Sequence, residues 1–211
     1  MAFTLKEMLA PKGSKCRPGY SLTPKYITIH NTGNASKTAG AENHGKYLQG
    51  SGAGYSVSWH YCIDDKICVQ SIPDNENAWH AGDGSNGTGN RKSIAIEICE
   101  NPDSNILVAT NNAAILTAQL MKKYNIPIGN VVQHNHWSGK DCPRQLRNNN
   151  PYSWEKFIST VSVEYKKLTE EKPTTVIKYT VQVGAFSQRQ NAVDLCNRVK
   201  AAGFDAFIKE V

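Results

Sequence analysis

Ser93-Ile-Ala-Ile-Glu-Ile-Cys99 alternates isoleucine with smaller or polar residues. Strict alternation is the pattern of a β-strand, in which successive side chains point to opposite faces. Ile94, Ile96 and Ile98 then share one face, and Ala95, Glu97 and Cys99 share the other. An acid in the middle of so apolar a strand is costly to bury. Either a cation pairs with Glu97 or Glu97 lines a cleft; a buried charge without an obvious partner favours the cleft.

Working outward, Lys25-Tyr-Ile-Thr-Ile-His30 is a second strand of the same kind. Tyr26, Thr28 and His30 lie on one face, Ile27 and Ile29 on the other. Asn31-Thr-Gly-Asn34 breaks it, which leaves His30 at the C-terminal end, where α/β sheets tend to carry their chemistry. If the two strands are sheet neighbours, His30 and Glu97 converge.

Downstream, Val131-Val-Gln-His-Asn-His-Trp-Ser-Gly-Lys-Asp-Cys-Pro143 brings two histidines, a lysine and a cysteine close together. Imidazole and thiolate are donors that zinc prefers. His30, one histidine of this stretch and Cys142 make three ligands and leave a fourth position open, as in catalytic rather than structural zinc sites. His134 and His136 compete for the middle place, and His60 and His80 are further metal-binding candidates. Glu97 is then a candidate base, and Lys140 a candidate to stabilise an oxyanion. The implied chemistry is hydrolysis of an acyl derivative such as an amide.

The remaining chain reads as follows. Residues 1–24 form an irregular entry segment, and 36–49 are weakly helical. Residues 55–63 and 66–72 are two strands of a hairpin. Cys62 and Cys68 flank its turn and would sit opposite each other, as a disulfide or as two buried thiols. Trp79 to Asn90 is a long glycine-rich loop, a length usually associated with function. Residues 110–124 form a helix with Thr110 as N-cap, and 153–168 form an amphipathic helix. A charged linker follows, and 178–211 read as a small strand–helix–strand unit.

The chain has 211 residues, a net charge of +6, 39% hydrophobic and 20% charged residues. That is a globular composition for one domain plus an appendage. No apolar run is long enough for a membrane span, so no membrane insertion is expected. No zinc-finger spacing or arginine-rich helix points to nucleic acid. The first ten residues include Glu7 and lack an apolar core, so no secretory signal is expected.

The motifs Tyr26-Ile-Thr-Ile-His-Asn-Thr32, Ala78-Trp-His-Ala-Gly82, Ser93-Ile-Ala-Ile-Glu-Ile98 and His134-x7-Cys142-Pro143, with Lys140 two before the cysteine, resemble the zinc-dependent N-acetylmuramoyl-L-alanine amidases of type 2. The similarity spans roughly 20–165 and is strongest to phage and prophage lysins. It implies an α/β fold with a central mixed β-sheet flanked by helices, and one Zn2+ on His30, His134 and Cys142. It also implies roles for Glu97 and Lys140 as catalytic residues, and a glycopeptide cleft lined by Asn31, Trp79, His80 and Asn90. Some relatives use a tyrosine where this chain has Trp59, which shifts weight to Glu97.

The tail resembles half of a SPOR domain, a peptidoglycan-binding module. The domains implied are a catalytic domain at 1–165, a linker at 166–177 and a βαβ module at 178–211. Its missing half would be supplied by a homodimer; a degenerate remnant and packing on the catalytic domain are the alternatives. The function implied is hydrolysis of peptidoglycan between N-acetylmuramic acid and L-alanine, by a protein made in the cytoplasm that reaches the wall after lysis. The alternative is a non-catalytic recognition protein on the same fold, in which the cysteine ligand is typically replaced.

Overall fold

The computed structural model describes residues 3–170 and 181–210. The chain divides into two compact units, Met1–Glu171 and Lys172–Val211.

The first unit is built on six strands: β1 (Thr4–Glu7), β2 (Tyr26–Asn31), β3 (Tyr61–Ile63), β4 (Ile67–Gln70), β5 (Ser93–Ile98) and β6 (Val131–Gln133). They lie in the order β1-β4-β3-β5-β2-β6. Only β3 and β4 pair antiparallel, so the sheet is mixed, as expected. β2 and β5 are parallel neighbours, with His30 opposite Glu97.

The alternation read from the sequence is the alternation of the two cores. Ile27, Ile29, Ile94, Ile96 and Ile98 are fully buried on one face. There they pack with Ala113, Leu116 and Leu120 of a long helix and with Phe157 and Val161 of another. Burying each isoleucine contributes about 1.5–3 kcal/mol, so this face dominates the stability. On the other face Ala95 and Cys99 pack with Cys62, Val69, Trp59, Ala41 and Leu48.

Among the described residues, seven α-helices surround the sheet or belong to the tail: α1 (Ala41–Gln49), α2 (Thr88–Lys92), α3 (Ile106–Tyr124), α4 (Asn135–Ser138), α5 (Arg144–Arg147), α6 (Trp154–Thr169) and α7 (Arg189–Ala201). α3 begins earlier than expected. The Asn105 side chain accepts from the backbone N–H of Leu107 and Val108 and so caps the helix. Thr110 is therefore interior, and its hydroxyl donates to the Ile106 carbonyl. An Asx side chain at the N-cap satisfies orphan N–H groups, which is why the start moves to 105. Ser153 caps α6 in the same way.

Other expectations are corrected. Part of the entry segment is strand β1, which pairs with β4. The hairpin strands are shorter than expected. Cys62 stands opposite Val69, and Cys68 opposite Ile63, so the two cysteines are not partners. Cys62 instead lies 3.4 Å from Cys99, sulfur to sulfur. The expected linker overlaps α6, which continues to Thr169. Within 181–210 the only regular element is α7. The strands expected at 179–183 and 204–210 are absent among the described residues, and Tyr179 and Thr180 lie outside them. Val181, Val183, Phe204 and Phe207 are exposed. A strand needs a hydrogen-bonding neighbour, and neither segment has one among the described residues.

Asp74 ties the sheet to α3. Its carboxylate accepts from Tyr61 Oη at 2.7 Å, Tyr124 Oη at 2.6 Å and Lys123 Nζ at 2.9 Å. Burial alone would raise this carboxyl; the hydrogen bonds from Tyr124, Tyr61 and Lys123 outweigh it and hold the pKa below its ordinary value. A depressed carboxylate contributes stability above its unfolded pKa and loses it as pH falls through the folded value. Asp74→Ala is expected to cost about 2–3 kcal/mol, because it strands buried donors. Thermal unfolding of the two proteins should differ most near neutral pH, and the gap should narrow in acid.

Candidate metal centre

Three segments converge at the C-terminal end of β2. His30 comes from β2 itself, Glu97 from its neighbour β5, and His134 and Cys142 from the stretch after β6. Cys142 Sγ lies 3.7 Å from His30 Nδ1. The His30 and His134 rings are 4.6 Å apart between centroids. The ligand-capable atoms of His30, His134 and Cys142 all lie within 4.8 Å of one another, and all three residues are buried.

The loop carrying His134 and Cys142 is closed by its own backbone. Asn135 N–H donates to the Cys142 carbonyl at 2.9 Å, and Cys142 N–H donates to Lys140 at 2.8 Å. Trp137 Nε1 donates to Thr28 Oγ1 at 2.9 Å and fixes α4 against β2. Gly89 lets this indole approach; a Cβ there would lie 2.8 Å from the Trp137 ring and would collide with Ala81.

The donor set fits zinc. Both ring nitrogens of His134 are buried and without a hydrogen-bond partner. Leaving two such atoms unpaired is costly unless a ligand engages one of them. Two imidazoles and a thiol are zinc donors, and ligand atoms around tetrahedral zinc sit roughly 3.3–3.8 Å apart for bonds of about 2.0–2.3 Å. The Cys142–His30 separation falls within that span. Burial, with the neighbouring His80, His134 and Lys140, pushes the His30 pKa well down. The ring is therefore neutral and able to ligate.

The histidines that competed in the sequence separate by environment. His136 is exposed and rests on Trp137. His60 uses both nitrogens internally: Nε2 pairs with the Glu76 carbonyl and Nδ1 accepts from Ala95 N–H. His80 is buried with Nδ1 3.1 Å from His30 Nε2, behind the cluster. A ring in that place orients the ligand histidine in front of it.

Glu97 Oε1 is 3.8 Å from His30 Nδ1, and Oε2 is buried without a partner. Burial raises its pKa to about 8, against the lowering influence of His44 and Lys140. Lys140 is exposed on the rim and makes no ion pair among the described residues.

These residues open into a groove of about 860 Å³, which also includes Asn31, Trp59, Trp79, His80 and Asn90. Asn31 and Asn90 are largely committed to holding it together. Asn31 Oδ1 accepts from Gln145 N–H. Asn90 Oδ1 accepts from the N–H of His80 and Ala81, and its amide donates to Gly84. Glu100 and Arg144, which sequence reasoning missed, form an ion pair at 3.2 Å on the groove wall. Glu100 lies just past β5 and Arg144 opens the four-residue α5, too short for a periodicity to mark either.

A family model described as N-acetylmuramoyl-L-alanine amidase matches residues 20–145. The chain belongs to this amidase family. The amidase CwlH of Bacillus subtilis (strain 168) is 46% identical over 171 residues, covering 81% of this chain and 66% of that protein. The amidase XlyA of the same organism is 50% identical over 147 residues, covering 70% of this chain and 47% of that one. The chain thus spans about half to two thirds of the length of these curated relatives. The solved catalytic domain of XlyA superposes with a TM-score of 0.70 at 46% identity, covering 75% of this chain and 99% of that domain. The solution structure of the PlyG catalytic domain gives 0.68 at 40% identity, covering 81% and 100%. A second model, of the SPOR domain, matches 156–210 and so begins within α6 rather than at 178.

Proposed function

We propose that this amidase hydrolyses the bond between N-acetylmuramic acid and the L-alanine of the stem peptide, as a phage or prophage lysin. The observation that carries the reading is the convergence of two histidines and a cysteine, with a partner-free carboxylate oxygen beside them, in an open groove of an amidase fold. His30, His134 and Cys142 would hold one zinc ion, which supplies Lewis acidity and makes water a nucleophile near neutral pH. Glu97, whose pKa burial raises to about 8, would take the proton of the attacking water in its ionised form, a fraction that grows as pH rises towards that value. It then delivers a proton to the departing amine. Lys140 brings a cation to the groove, where it opposes the charge that grows on the carbonyl oxygen. Asn31 and Asn90 shape the groove, with Trp79 at its edge and His80 behind His30.

No described helix is long and apolar enough to cross a membrane. The SPOR match supports wall binding by the tail. Its exposed apolar residues fit the proposal that 178–211 pairs with a second copy. Deleting 178–211 should weaken sedimentation with purified walls more than hydrolysis of a soluble muropeptide; equal sedimentation would remove the anchor. Treatment with a chelator should abolish hydrolysis and added Zn2+ restore it, and activity that survives full metal removal would contradict the metal centre.

A further inference from the structure

The register of the sheet places a second cluster beside the first. Glu97 on β5 pairs with His30 of β2 on one side and with Cys62 of β3 on the other. Paired residues project to the same face, so His30, Glu97 and Cys62 form one row across three strands. Cys99, two residues beyond Glu97, points the same way and brings its Sγ to 3.4 Å from Cys62 Sγ. His44 of α1 approaches from above. Ligand-capable atoms of His44, Cys62 and Cys99 all lie within 4.8 Å of one another, as in the first cluster.

We propose that His44, Cys62 and Cys99 form a second metal site, for a thiophilic ion of the zinc class, separated from the first by Glu97. Three observations carry it. The donor set is one imidazole and two thiols, which select zinc over harder cations. The sulfur separation falls within the roughly 3.3–3.8 Å expected between ligand atoms on tetrahedral zinc. His44 Nδ1 lies 3.0 Å from the Gly40 carbonyl, so it must carry the proton and donate it. That bond leaves Nε2 rather than Nδ1 as the nitrogen able to ligate, and ligand histidines are characteristically held in this way by a backbone carbonyl. Both cysteines are fully buried, whereas His44 is half-buried and offers the route in. Three protein donors leave one position of the ion exchangeable.

The groove cluster and this one differ in composition, and that separates them experimentally. The full-length protein, purified under reducing conditions and loaded with Zn2+ or Co2+, should bind two equivalents per chain. Cys142→Ala should retain one, and its cobalt form should keep a thiolate-to-cobalt charge-transfer band from the two remaining sulfur ligands. The double variant Cys62→Ser/Cys99→Ser should also fall from two equivalents to one while keeping the band of Cys142. The two variants approach the site from opposite sides, so misfolding of one leaves the other to decide. One equivalent in the native protein, or a metal-free Cys142→Ala without the band, would overturn the site. A Cys62–Cys99 disulfide that persists under reducing conditions would do the same.

Discussion

Cys142→Ala is expected to abolish wall hydrolysis, with a loss of at least about 1,000-fold in kcat/KM, or roughly 4 kcal/mol of transition-state stabilisation. Cys142 is the only thiol of the groove cluster, and its sulfur closes on His30 at 3.7 Å. Without it, two neutral histidines remain, too few to fix an ion with one open position. The loop itself should survive. It is held by the Asn135–Cys142 and Cys142–Lys140 backbone bonds and by the indole of Trp137, none of which uses the sulfur. Circular dichroism and thermal unfolding in the absence of metal should therefore resemble those of the native chain. The metal equivalent shared with His30 and His134 should disappear. Retained activity would show that the thiol is not a ligand.

Glu97→Gln is expected to separate metal binding from turnover. The amide keeps the shape of the carboxyl but takes no proton at neutral pH. Removing a positioned general base typically costs 100- to 10,000-fold. The metal content of the groove cluster should be unchanged, because the donors are His30, His134 and Cys142, and Glu97 stands beside them at 3.8 Å from His30 Nδ1. The loss should appear in kcat rather than in KM, since the group acts on the reacting atoms. Burial disfavours the ionised form of this carboxyl, so the neutral amide should be tolerated and the variant as stable as the native chain. Full activity in Glu97→Gln would remove the proposed base.

Much of this was legible from alternation alone. Isoleucines at every second position defined β2 and β5, and the same period set His30 and Glu97 on the opposite, cleft-facing side. The parallel register of the two strands then brought them together. β1 was not legible because it is an edge strand with all four residues exposed, and such a strand carries no hydrophobic period. The start of α3 was misplaced because Thr110 and Asn105 are both acceptable caps, and only the backbone geometry separates them. Spacing could not separate His134 from His136. The short α4 turn does: it leaves His134 buried at its start and carries His136 out to solvent. The tail read as strand–helix–strand because apolar and polar residues alternate at Val181-Gln182-Val183 and short apolar segments flank the helix. Alternation marks a capacity to pair, and pairing needs a neighbouring strand, which the tail lacks among the described residues.

Mass spectrometry of purified peptidoglycan digested by the native protein tests the central claim most directly. Free stem peptides with a new amino group on L-alanine, and glycan strands without new reducing ends, are the expected products. New reducing ends, or stem peptides cut between amino acids with L-alanine still joined to N-acetylmuramic acid, would contradict it.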